Sequence, residues 1–273
     1  MTQNQPQQSP ISGHVDAANY HPSPAHEEAL ARLHYLVEQH LRVGILLGEA
    51  GSGKSMLLAK LAAEAVSPNR RVLRLSLLGL EAEEMLTALA TQLQLNPQPA
   101  TTPPALWRSI SDRLKEFQFQ QHSTVILLDD VHEATSDTLA AICRLVEMNA
   151  TEQARVTIIA AAQSSSVAKL PRRLLDRASL RVDVEPWEMQ DTLEFLTHAV
   201  EQLRAIDGAE EVADEVFTED AVAKLHELSG GIPRRVSQLA SWALLAGAGL
   251  GLESVDDETV ETAAEELGVR AVV

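Results

Sequence analysis

Aromatic residues are scarce: three Trp, two Tyr and four Phe make up 3% of the 273 residues. Hydrophobic residues reach 45% all the same, so the core must be built from Leu, Val, Ile and Ala, as suits a helix-rich α/β protein. Cys143 is the only cysteine. No intrachain disulfide can form, and a reducing, cytoplasmic compartment is expected. Cys143 stands in LAAICRLVEM at helical spacing, the setting of a buried structural thiol rather than a nucleophile. Long apolar runs are also missing. The longest, Trp242 to Leu252, holds three glycines and is too short to cross a bilayer. The N-terminus has no signal-peptide core, and no membrane span is expected. Positive charge is short too: 22 Lys and Arg face 39 Asp and Glu, a net charge of −17. That balance opposes broad, non-specific binding to nucleic acid. DNA is therefore not the expected partner, although a small local basic patch would still permit it.

What is present is organised around Val43 to Ser55, VGILLGEAGSGKS. Val43, Ile45, Leu46 and Leu47 read as a buried parallel strand, and Met56 to Ala65 continues with helical spacing. The loop between them is G-x-x-x-x-G-K-S: Gly48, Glu49, Ala50, Gly51, Ser52, Gly53, Lys54 and Ser55, followed by Met56. Glycines let backbone N–H groups turn inward around a β-phosphate, and the helix N-terminus adds its positive dipole end. Lys54 can reach the β- and γ-phosphates, and the Ser55 hydroxyl can ligate Mg²⁺. Chance alone gives about one such match per hundred chains of this length, and the strand–loop–helix context makes it rarer. ATP and Mg²⁺ are the expected cofactors.

The chain as a whole divides into three stretches. Residues 1–19 are Gln- and Pro-rich and read as a disordered tail. From 20 to 186, strands alternate with helices. A helix from Ser23 or Pro24 precedes the first strand; further strands are read at Arg71–Leu77, Thr124–Asp130, Arg155–Gln163 and Leu180–Val184. Helices are read between them at Glu81–Leu95, Pro104–Gln121, Thr135–Asn149 and Val167–Asp176. After Pro186 only helices are read, at Glu188–Ile206, Thr218–Leu228, Pro233–Ala246 and Asp256–Leu267. This order implies a five-stranded parallel sheet flanked by helices, then an all-α lid over 187–273.

Thr124 to Ala134, TVILLDDVHEA, is an apolar strand ending in two acids. In P-loop ATPases an acid at such a strand tip holds Mg²⁺ and a neighbouring acid orients the attacking water. Asp129 is the candidate for the first role and Asp130 for the second; His132 and Glu133 read as surface or helix-capping residues. Gln163, at the tip of the fourth strand, could hold the γ-phosphate or the water, or could simply begin a polar turn. Arg70, Arg71 and Arg74 form a basic cluster that a strand edge explains as well as a binding patch does.

Together these features resemble an AAA+ ATPase over residues 20–268, and in detail the ExeA/GspA group of the general secretion pathway, related to transposition ATPases of the TniB/TnsC kind. The carrying stretches are SPAHEEALARL, GEAGSGKS, LLGLEAEEMLTALATQLQL, LLDDVHEA and FTEDAVAKLHELSGGIPRRVSQLASWALL. The resemblance implies that Arg234, in G-I-P-R, reaches the γ-phosphate within its own subunit, with Arg235 the less favoured neighbour. It also implies an arginine acting on a neighbouring subunit's ATP, from among Arg172, Arg173, Arg177 and Arg181; Arg177 aligns best, and a solvated basic face is the alternative. The second acid is Asp130 where the group usually has Glu, one methylene shorter, so slow hydrolysis is expected. No periplasmic cell-wall-binding region follows the lid in this sequence, which argues against a direct role in carrying secretion machinery through the wall.

The resulting expectation is a Mg²⁺-dependent ATPase that self-assembles into a homo-oligomer and acts on an unidentified protein partner. The alternatives are an ATP-controlled binding switch that hydrolyses little, and a DNA-associated regulator of transposition type.

Overall fold

The computed structural model describes residues 20–98, 101–148, 155–207 and 216–268; the tail expected over 1–19 lies outside them. The chain forms two compact units. Of the described residues, one comprises those of His26–Glu49 and Lys54–Val184; the other gathers those of Glu185–Val273 with the loop residues Ala50–Gly53 and with Tyr20 to Ala25.

The first unit is a five-stranded parallel sheet made of β1 (Val43–Gly48), β2 (Arg70–Ser76), β3 (Ser123–Asp129), β4 (Val156–Gln163) and β5 (Leu180–Val184), ordered β2-β3-β4-β1-β5. β1 and β3 are buried at every residue, which is why they read as unbroken apolar runs rather than alternating ones. Helices α1 (Pro24–Glu38), α2 (Lys54–Ala65), α3 (Ala82–Gln92), α4 (Pro103–Phe119) and α5 (Ser136–Met148) accompany the sheet. Ile45, Leu47, Ile126 and Ile158 enter one core cluster with Met85, Leu89, Ile110 and Leu145 of α3, α4 and α5. Side chains alternate along a strand, so Leu46, Leu127 and Ile159 face the other way and are equally buried. Because all strands are parallel, their C-terminal ends emerge along one edge, where open α/β sheets bind ligands.

Most elements lie within a few residues of where the sequence puts them. One differs in kind. The helix expected over Val167–Asp176 is a 3-10 segment, Ser164–Lys169, and a separate short helix, α6 (Arg172–Asp176). Pro171 divides them: it forces Leu170 into an extended conformation (φ −73°, ψ 139°) and has no N–H to continue a helix. Cys143 lies partly buried against the core, and burial pushes its thiol pKa up, as fits an inert structural cysteine.

The second unit packs α7 (Met189–Asp207), α8 (Glu219–Ser229), α9 (Pro233–Leu250) and α10 (Asp257–Glu266) around Leu196, Leu225, Val236, Leu239 and Val260. Two helices carry side-chain caps: the Thr218 hydroxyl accepts the Ala221 N–H at 3.1 Å, and the Asp256 carboxylate accepts the Thr259 N–H at 2.9 Å. α9 runs past its expected end at Ala246 because Gly247, buried against Val255, stays helical. The helical segment also holds most of the negative charge: residues 185–273 have 20 Asp and Glu against five Lys and Arg.

Between α8 and α9 the chain turns on Gly230 (φ 61°) and Gly231 (φ 68°). The Trp187 N–H donates to the Gly231 carbonyl at 2.8 Å, and a Cβ on Gly231 would lie 2.3 Å from the Trp187 carbonyl oxygen, whereas one on Gly230 would meet nothing within 4 Å. Gly231→Ala should therefore destabilise the protein by about 3 kcal/mol or more, and Gly230→Ala by only about 1 kcal/mol. Urea unfolding of both variants tests this; equal midpoints would contradict it.

Candidate functional site

β1 delivers the glycine-rich loop. Its last residue, Gly48, is in register with Gln163 at the end of β4 and with Val184 at the end of β5. Glu49 and Ala50 are exposed, and Gly51 and Gly53 take φ of 88° and 95°, a region closed to most side chains. Lys54 opens α2 and is 7% exposed; its ammonium donates to the carbonyls of Gly48 at 2.9 Å and Glu49 at 2.7 Å. Ser55 and Met56 follow in the first turn of α2, whose leading N–H groups have no partner inside the helix.

The second element is the end of β3. Asp129 is buried, and one of its carboxylate oxygens accepts the Asp130 N–H at 3.0 Å. Its other oxygen lies 3.8 Å from the Arg74 guanidinium. Asp130 follows in the left-handed region (φ 53°, ψ 37°), outside the strand that was expected to include it. Its carboxyl is held above the usual range, first by burial and then by the charge of Asp129; His132, Lys54 and the Ser76 hydroxyl, which donates to it at 3.5 Å, pull partly the other way.

Two adjacent acids held this way are what a hard cation relieves. The Ser55 hydroxyl and the Asp129 carboxylate are oxygen ligands of the kind Mg²⁺ takes. Among the described residues no group of three or more His, Cys, Asp or Glu could hold a metal by itself. A Mg²⁺ here would thus need oxygens from a bound phosphate, its usual manner of binding.

Gly51 is grouped with the helical unit. The Arg234 N–H donates to the Gly51 carbonyl at 3.2 Å, and a Cβ on Gly51 would stand 2.8 Å from the Arg234 Cβ and 3.3 Å from Ile232. The side chains of Arg234 and Arg235 are exposed. Of the four arginines from which a trans-acting residue was expected, Arg177 pairs with Glu147 at 3.1 Å, Arg181 pairs with Asp183 at 2.7 Å, and Arg172 lies 3.8 Å from Asp176. Arg173 is exposed, with no ion pair to a described acid.

One reading needs correction. His132 is not a surface residue: its side chain is 1% exposed, in a 3-10 turn, Val131–Glu133, after β3. The left-handed Asp130 turns the chain back, so the residue expected to face solvent is carried inward. Neither ring nitrogen has a hydrogen-bond partner among the described residues, although Nε2 lies 3.4 Å from a Glu133 carboxylate oxygen. Glu133 is exposed.

Comparison with known proteins bears on the family and the fold. Residues 37–170 match the family model of the AAA domain. This stretch of the chain is an AAA domain. Beyond it, the chain is 24% identical over 253 residues to the general secretion pathway protein A of Aeromonas hydrophila, covering 91% of this chain and 45% of that protein. An uncharacterized HTH-type transcriptional regulator of Methanocaldococcus jannaschii is 23% identical over 164 residues, covering 59% of this chain and 39% of its own length. The chain thus spans less than half the length of the curated relatives it matches. Among solved structures, Cdc6p of Pyrobaculum aerophilum superposes with a TM-score of 0.72 at 17% identity, over 94% of this chain and 70% of that one. The RuvB Holliday junction branch migration motor of Thermotoga maritima gives 0.62 at 14%, over 96% and 74%. The ORC1 protein of Aeropyrum pernix, solved in complex with DNA, gives 0.64 at 19%, over 95% and 68%. At these identities the likeness shows the AAA+ fold.

The AAA domain also contains a residue that the sequence did not single out for the site. Arg74 stands between two buried leucines of β2, a pattern that reads as an outward-facing edge residue; only the packing of β2 beside β3 and under α2 brings it to Asp129.

Two substitutions test this geometry. Gly51→Ala combines a disfavoured φ with a clash at Arg234, and should weaken binding of a fluorescent ATP analogue at least about tenfold; wild-type affinity would contradict the loop conformation. Asp130→Asn removes a carboxyl whose ionised form folding disfavours. That cost is present above the folded-state pKa and vanishes once both folded and unfolded forms are protonated. At neutral pH, without nucleotide or Mg²⁺, Asp130→Asn should raise the melting temperature by roughly 1–3 °C, a gain that shrinks on acidification. A lower melting temperature would count against it.

Proposed function

We propose that the protein is a Mg²⁺-dependent ATPase that self-assembles and acts on a partner complex. The observation that carries this reading is geometric: Lys54 opens α2 with its ammonium on the carbonyls of Gly48 and Glu49, and Asp129 and Asp130 stand in succession at the end of β3. A carboxylate so placed can act as the base that takes a proton from water.

In this reading Gly48 to Met56 bind the triphosphate through main-chain N–H groups and the start of α2. Lys54 exchanges its two carbonyl partners for phosphate oxygens. Ser55 and Asp129 hold Mg²⁺, which supplies neutralisation of charge on the phosphates. Asp130 accepts a hydrogen bond from the attacking water and takes its proton as the new bond to the γ-phosphorus forms and the bond to the ADP oxygen breaks. Gln163, beside Gly48, holds that water or the γ-phosphate. Arg234 reaches the γ-phosphate of its own subunit, and Arg177 of a second copy completes the site. Releasing Arg177 from Glu147 costs little, because half-exposed pairs contribute only about 0–1 kcal/mol. The likeness to a general secretion pathway protein supports a secretion-type or other assembly complex as the partner.

An ATP-controlled switch with little turnover is the second reading, favoured by the short Asp130 carboxylate. A DNA-associated role draws support from the uneven charge: residues 1–184 hold 17 Lys and Arg against 19 Asp and Glu, so the excess that opposes polyanions lies almost wholly in 185–273.

ATP turnover per subunit, followed as protein concentration rises with Mg²⁺ present, tests the first reading. Specific activity should climb, and Lys54→Ala should lower turnover at least about a hundredfold. Unchanged turnover in Lys54→Ala defeats the ATPase reading. A flat rate with concentration removes the role of a second copy's arginine, and tight binding without turnover favours the switch.

A further inference from the structure

Arg74 is held more tightly than a solvated strand-edge residue needs to be. β2 is an edge strand, and on its open side the Gln92 side chain pins the Arg74 backbone. It accepts the Arg74 N–H at 3.0 Å and donates to the Arg74 carbonyl at 2.8 Å. With its backbone fixed, the guanidinium reaches the end of β3 and the first turn of α2. One nitrogen, Nη2, donates to the Ser55 carbonyl at 3.1 Å and lies 3.8 Å from the Asp129 carboxylate oxygen that Asp130 does not occupy. The Arg74 side chain is 36% exposed and that of Asp129 only 5%. A fixed positive charge therefore touches both residues suited to bind Mg²⁺, one through its main chain and one through its carboxylate.

We propose that Arg74 is a built-in counter-cation for Asp129 that competes with the divalent ion, so that nucleotide binding depends only weakly on Mg²⁺. This rests on the nucleotide-binding reading above. The physical basis is simple. Asp129 is buried beside Asp130, and a nearby cation offsets the repulsion between the two carboxylates. Arg74 supplies that cation from a guanidinium already held by the Ser55 carbonyl. An incoming Mg²⁺ gains less from a carboxylate already partly neutralised, and is repelled by the guanidinium beside it. Arg74 is thus a positioning residue, not a catalytic one: it holds Asp129 ready and sets how much the metal adds.

The test is the ratio of dissociation constants for a fluorescent ATP analogue in EDTA and in excess Mg²⁺, measured on the full chain. Arg74→Met keeps the aliphatic stem and removes the charge; it should raise that ratio roughly tenfold over wild type, while Arg74→Lys should stay close to wild type. Arg74→Gln, which keeps a donor for the Ser55 carbonyl, should behave like Arg74→Met. Thermal unfolding in EDTA reports whether each variant is folded. Should the neutral variants fold poorly, wild type decides by itself: Mg²⁺ should tighten binding less than about tenfold, and a larger effect overturns the inference. An equal or smaller ratio in folded Arg74→Met overturns it too. No nucleotide binding by wild type in either condition would defeat the nucleotide reading and this inference together, whereas binding with an unchanged ratio defeats the inference alone.

Discussion

Two carboxylates in succession at the end of a buried strand are the constraint on which the site depends. Asp129 is buried, and Asp130 cannot ionise beside it without cost. The surrounding structure answers that problem with hydrogen bonds and positive charge. The Asp130 N–H caps Asp129, Ser76 donates to Asp130, and Lys54 and Arg74 bring cations from two other elements. Asp130 is left-handed and only partly buried, while the chain turns back after it and buries Val131 and His132.

Strand order makes this convergence possible. β1 lies between β4 and β5, and β3 lies one strand beyond β4, so residues more than a hundred positions apart end at one edge. The match of Gly48 with Gln163 is set by register alone. Helices on both faces leave that edge as the open place where backbone N–H groups and polar side chains can meet a ligand. The glycines at 51 and 231 serve a different end: at each, another backbone or a Cβ comes too close for any side chain.

Much of this was legible in the residues. Unbroken apolar runs ending in Gly48, Asp129 and Gln163 mark the strands, because strands buried on both faces have no polar side to show. The glycine–lysine–serine loop is local chemistry and needs no partner to be read. His132 was not legible, since a polar residue after two acids looks solvated until the turn at Asp130 is known. Arg74 was not legible for a similar reason: alternation along β2 says that it leaves the core, but not that α2 and β3 wait on that side. Pro171 is visible in the sequence, but the apolar spacing around it matches a continuous helix and hides the break. Gly247 misled in the opposite sense, its burial against Val255 keeping α9 intact past the expected end.

Local rules of the chain therefore determined the elements, the phosphate loop, the paired acids and the helical segment after Pro186, since each depends on neighbours within a few residues. Only the tertiary structure decided which charges oppose Asp129 and Asp130, where Gln163 stands against Gly48, and which of the four arginines are already paired. Those are relations between distant segments, and electrostatic energy depends on separation in space and burial, neither of which a linear order of residues contains.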